Sequence, residues 1–234
     1  MEGKTDMKRL LNIALDNAVA LGVVVIVLFL IIPLPTFLLD FLLIVNIGLA
    51  IMILMITMNI SEALEFSIFP SLLLVTTLFR LGLNVSSTRM ILRDGYAGEV
   101  IQNFGQLITG GNIVIGVVIF LIIVLVQFIV ITKGAERVAE VAARFTLDAM
   151  PGKQMAIDAD LSSGLINEQE ARARRQKIQK EADFYGAMDG ATKIVKGDAV
   201  MSIVITLINF VGGVIIGMVM GGGDFATVLQ TYSI

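Results

Sequence analysis

Apolar positions along this chain gather into five long blocks instead of short periodic groups. Asn17–Ile32, Phe37–Met58, Ser67–Leu83, Ile113–Ile131 and Ala199–Met220 each approach the roughly 20 residues with which a helix crosses about 30 Å of hydrocarbon. Between the blocks the pattern changes twice. In the region 84–111, Val100, Ile101, Phe104, Leu107 and Ile108 recur at helical spacing, with Gln102, Asn103 and Gln106 opposite. That spacing predicts an amphipathic helix from Glu99 to about Ile108. It either lies in the membrane interface, the preferred placement, or re-enters the protein.

The second change is a long polar stretch. Ala135–Ala149 sets Val138, Val141 and Phe145 on one stripe and Glu140 four residues before Arg144, while Asn167–Lys180 opens on Asn167-Glu-Gln-Glu170 and spaces Glu168/Arg172 and Glu170/Arg174 as i,i+4 pairs. These are two helical blocks, the second with a capping-box start, separated at Pro151-Gly152. The expected fold is therefore an all-α polytopic membrane protein with about five transmembrane helices, an interfacial helix region and a helical cytoplasmic insert. Its expected parts are a cytoplasmic N-terminal segment, 1–16; transmembrane helices one to four with the amphipathic region, 17–132; the insert, 133–198; the fifth span, 199–220; and the start of a further segment, 221–234, as in a truncated chain.

Charge orients this plan. The net charge of −3 hides a segregation, because 11 of the 17 Lys and Arg residues lie within 133–196, and Lys4, Lys8 and Arg9 precede the first block. The positive-inside rule puts the N-terminus and the insert in the cytoplasm. A chain that is 56% hydrophobic with no Cys and no His has no disulfides, no usual zinc site and no Ser-His or Cys-His nucleophile. Gly152-Lys153 lacks the first glycine and the Ser/Thr of a phosphate-binding loop, and Asp158-x-Asp160-x-Ser162 lacks the Gly and Glu of a calcium loop. No enzyme activity, cofactor, metal or nucleic-acid partner is expected.

Polar residues inside or beside apolar blocks are the candidates for function. Arg80, some 20 Å along the third block, is costly in hydrocarbon. It either pairs with Asp40 of the second block or snorkels outward. Arg89 and Arg93 repel at i,i+4 unless each has an anion, such as Asp94, Glu99 or a lipid phosphate. Asp198 at the head of the fifth block reads most simply as a helix N-cap, and alternatively as a carboxylate whose protonation couples to a gradient. Gly213, Gly217 and Gly221 form a small-xxx-small stripe suited to helix packing.

One long string carries more than periodicity. Arg137-Val-Ala-Glu-Val-Ala-Ala-Arg144-Phe-Thr-Leu-Asp148-Ala-Met-Pro151-Gly-Lys153-Gln-Met-Ala-Ile-Asp158-Ala-Asp160 closely resembles the hallmark of the type III export-gate proteins, the FHIPEP family. Phe79–Arg89, Gly110–Asn112, Val130–Gly134 and Lys196–Ala199 resemble it too, and Glu181–Gly190 leans toward the flagellar branch over the virulence branch. The resemblance implies a multi-pass protein of the bacterial inner membrane. It also implies a homo-oligomeric ring, thought to be a nonamer, beneath the flagellar basal-body ring, working with other export-gate subunits. An export ATPase complex and chaperone–substrate complexes engage through a C-terminal domain absent here, and the proton motive force drives export. By matching motif, Arg89, Lys193 and Asp198 would be the proton-coupling and export residues, and Arg137, Arg144 and Asp148 subunit or gate contacts. Membrane lipid is the remaining partner. Small-ion transport is the rival function, and a passive scaffold a third.

Overall fold

The computed structural model describes residues 18–130, 134, 136–220 and 224–233. Regular structure among them is helical throughout. In chain order come α1 (Ala18–Ile31), α2 (Thr36–Asn59), α3 (Phe69–Asp94), α4 (Glu99–Thr109), α5 (Ile113–Ile129), α6 (Glu136–Asp148), α7 (Met150–Ser162), α8 (Glu168–Met220) and α9 (Phe225–Ser233). A short 3-10 helix, Ala63–Phe66, links α2 to α3.

This is the expected all-α membrane architecture. Among the described residues α2, α3 and α8 are long and apolar enough to cross a membrane, and α4 with α5 makes a fourth crossing when that bent pair is counted as one. Against about five expected spans, α1 contributes an apolar helix of 14 residues. Leu121, Ile122, Leu125 and Val126 of α5 are each half or more exposed. So wide an apolar surface is untenable in water and ordinary against lipid tails.

Two helices run past the limits that apolarity alone suggests. Polar residues from Asn84 onward do not end α3, because the hydroxyls of Ser87 and Thr88 bond back to the Asn84 carbonyl at 3.0 and 2.7 Å. Each hydroxyl is satisfied within its own helix. The first third of the 84–111 region is thus a continuation of α3. Likewise no helix starts at residue 199: α8 is 53 residues long and passes unbroken from the insert into the fifth apolar block.

The chain divides into two compact units, each described by itself. In the unit formed by residues up to 48, 75–120 and 204 onward, Leu34, Leu39, Leu83, Met90 and Ala97 make a buried core. Here α9 lies along the glycine stripe of α8. A Cβ on Gly213 would sit 2.2 Å from a Tyr232 ring carbon, and one on Gly217 2.7 Å from Val228. Gly213 and Gly217 therefore admit α9 of the same chain, while Gly221 lies outside the described residues. Gly213→Ala should detach or displace α9, at a cost of about 1–3 kcal/mol. Faster proteolysis at Tyr232 would register it, and unchanged protection would contradict the packing.

The other unit, residues 49–74 and 121–203, holds the insert. Its centre is an antiparallel hairpin of α7 and the start of α8. Asn167 caps α8 as its motif predicts, its Oδ1 accepting the Glu170 N–H at 2.8 Å. Pro151 falls in the first turn of α7, where its missing N–H is harmless, so Pro151-Gly152 begins a helix as well as ending one. Ile157, Ile166, Ala171 and Ile178 fill the seam. Outside it run three cross-helix ion pairs: Lys153 to Glu181 at 2.9 Å, Asp160 to Arg174 at 3.2 Å, and Asp158 to Arg175. All are partly exposed, so each adds only about 0–1 kcal/mol, and the seam supplies most of the stability. Ile178→Ala should cost about 2–4 kcal/mol and Arg175→Ala under about 1 kcal/mol. Amide exchange across α7 would show the order, and a reversed order would refute this division.

Candidate functional site

The charged residues singled out by sequence fall at two separate places. The first is on α8. Asp198 is 6% exposed and shares its buried side with Ala191 and Ala199. Thirty helical residues precede it, so the simple N-cap expectation fails: its own helix offers no unbonded N–H groups there. Its Oδ1 accepts no hydrogen bond among the described residues. Lys193 is exposed and pairs with Asp189 one turn back, Nζ to Oδ2 2.7 Å. Gly197, between Lys193 and Asp198, is helical. Five residues of unbroken helix rotate the two by about 140°.

Arg137, Arg144 and Asp148 are all exposed on α6. Helical spacing puts them on one side within about 40° of each other. The apolar stripe beside them is also outward: Val138 and Phe145 are 71% and 72% exposed, and the buried contact of α6 is Ala143. The stripe was legible in sequence, and its direction was not.

The second place is where α1 ends and α2 begins. Arg89 of α3 donates from Nη1 to the Ile31 carbonyl and from Nη2 to the Leu30 carbonyl, both at 3.0 Å. A cation on the last carbonyls of a helix satisfies orphan acceptors and complements the helix dipole. Ser86, fully buried, accepts the Leu34 N–H at 3.4 Å three residues further on. Arg93 turns instead to its neighbour Asp94, 2.8 Å away at the surface.

Asp40 corrects the expected partnership with Arg80. Its Oδ2 accepts the Glu99 N–H at 2.9 Å and its Oδ1 the Val100 N–H at 3.0 Å. The carboxylate thus caps α4 from another helix. The local reason is Gly98, which occupies the N-cap position with no side chain to cap with. Its φ is +111°, and a Cβ there would lie 2.3 Å from Asp40 Oδ1. Arg80 is exposed. Ser86 and Gly98 escaped the sequence reading; a glycine at a predicted helix start was the available sign that the cap comes from elsewhere. No group of His, Cys, Asp or Glu suited to a metal occurs among the described residues.

Comparison with known proteins gives one consistent picture. The FHIPEP family model matches residues 26–234. Flagellar biosynthesis protein FlhA of Bacillus subtilis is 62% identical over 207 residues, covering 88% of this chain and 31% of that protein. Flagellar biosynthesis protein FlhA of Caulobacter vibrioides is 56% identical over 224 residues, 94% of this chain and 32% of that protein. Low calcium response locus protein D of Yersinia pestis is 52% identical over 219 residues, 94% of this chain and 31% of that protein. The chain thus spans about a third of the length of these relatives, and no solved structure matches it.

Proposed function

The chain belongs to the FHIPEP family, and from that premise we propose that it is the membrane part of a flagellar type III export apparatus, coupling the proton motive force to the export of unfolded subunits. The observation that carries the coupling is α8. One uninterrupted helix contains a buried carboxylate, Asp198, and, 30 residues earlier, the start of the hairpin. An α-helix transmits rotation or tilt along its length without slack, so a change of charge at Asp198 would reach the hairpin mechanically. Lys193 and Lys196 set the electrostatic background from the same helix, and Arg89 holds α1 against α3 while that happens.

In this reading the protein sits in the bacterial inner membrane with its N-terminus and insert cytoplasmic. It forms a homo-oligomeric ring with other export-gate subunits at the basal body, and the outward faces of Arg137, Arg144 and Asp148 serve the contacts. The export ATPase and chaperone–substrate complexes are its further partners in this reading. No catalytic step is assigned to it.

A chimera tests the proposal. Replacing the matching segment of the Bacillus subtilis relative with this chain, in a strain lacking that protein, should restore secretion of flagellar subunits. A chimera that inserts into the membrane at normal levels yet exports nothing would count against it. Proton or sodium flux through the purified protein alone in liposomes would favour the small-ion transporter.

A further inference from the structure

Helix α4 has three sides. Ile101 packs into the core and Thr109 is buried, which makes that side the contact with protein. Phe104, Leu107 and Ile108 are 53%, 80% and 48% exposed on an apolar side, and Gln102, Asn103 and Gln106 are exposed on the polar one. Its two ends are fixed by separate devices. At the start, Asp40 takes the first two N–H groups over Gly98. At the end, Gly110 adopts a left-handed φ of +59° and returns its N–H to the Gln106 carbonyl. Asn112 then caps α5, its Oδ1 accepting the Val114 N–H at 2.9 Å. The result is a turn of 100° between α4 and α5.

We propose that α4 is a membrane-interface anchor, held flat by Asp40 as a positioning residue so that Phe104, Leu107 and Ile108 seat in the lipid at the face where α1 ends and α2 begins. With the 17 residues of α5 along the membrane normal, α4, turned 100° from it, lies in the plane of the bilayer, and the bent pair crosses through α5 alone. The apolar side is continuous with lipid-facing surface, since Val114 and Val118 in the first turns of α5 are 70% and 50% exposed. The lipid it meets is recognised by its apolar boundary and not by headgroup charge. Residues 99–109 contain no Lys or Arg, and their one acid, Glu99, is at the capped end. A charged partner surface has nothing there to pair with.

The experiment uses the full-length protein in liposomes of neutral phosphatidylcholine containing a lipid quencher just below the headgroup. The chain has no Cys, so a single fluorescent thiol label can be placed at Leu107→Cys or, on the polar side, Gln102→Cys. The Leu107 label should be quenched, and before labelling the Leu107→Cys thiol should be shielded from an impermeant maleimide; at Gln102→Cys the label should escape quenching and the free thiol should react. High salt or added anionic lipid should change nothing. Asp40→Asn should lower the seated-to-lifted ratio of the Leu107 label about fivefold. Gly98→Ala, which displaces the same carboxylate, should act alike, and the double variant should be no worse than either. Equal quenching at both positions would overturn the lipid assignment, as would Leu107-to-Leu107 cross-linking between copies. Unchanged quenching in both Asp40→Asn and Gly98→Ala would overturn the role of Asp40.

Discussion

Asp198→Asn is expected to lower export of flagellar subunits at least about tenfold, the effect of removing about 1.4 kcal/mol of coupling, while membrane insertion and expression hold. Asparagine keeps the shape of the carboxyl group and one acceptor oxygen, puts an NH2 donor in place of the other, and never ionises. The helix continues through this position, so no cap is lost and the substitution isolates charge from structure. Asp198→Glu, which restores the charge one methylene further out, should recover part of the activity. Secretion assayed in the medium, beside the membrane fraction, checks both. Full export by the Asn variant would remove Asp198 from the coupling.

Arg89→Ala is expected to act through stability. It deletes two charge-assisted bonds and leaves the Leu30 and Ile31 carbonyls without their donors at a helix end. Together this should cost about 2–4 kcal/mol. Arg89→Lys keeps the charge and loses the fork that reaches two carbonyls at once, so it should recover less than half. Thermal unfolding in lipid nanodiscs measures the loss. An export defect in Arg89→Ala with an unshifted melting curve would give Arg89 a direct role in export in place of this positional one.

The two substitutions also show what a single sequence discloses. Period and hydrophobicity identified the helices, because each apolar block and amphipathic stripe follows from the local order of side chains. The Asn167 cap and the Glu170–Arg174 pair were legible for the same reason: donor and acceptor lie within one turn. Long-range partnerships were not. Asp40 and Glu99 are 59 residues apart, and height in the membrane pointed to Arg80 as the partner of Asp40. Continuity was illegible too, since a polar stretch of α3 or α8 reads as a boundary until the hydroxyls of Ser87 and Thr88 are seen to close on their own helix. The failed nucleotide and calcium patterns gained a meaning that composition could not supply. Lys153, Asp158 and Asp160 face Glu181, Arg175 and Arg174 across the hairpin.

Within the unit that contains the insert, one contact reports on the hairpin's position. Lys177 Nζ lies 3.1 Å from Glu62 Oε2, beside the 3-10 helix between α2 and α3. Both residues are more than half exposed, so the pair is weak and its separation is free to follow α8. Spin labels at Ala63 and Gln176, in the full-length protein held under a proton gradient in sealed vesicles, would read that separation by pulsed dipolar spectroscopy. Coupling through Asp198 predicts a distance distribution that changes when a protonophore collapses the gradient, and one that does not change in Asp198→Asn. The same protonophore response with and without the Asp198 carboxylate would contradict it.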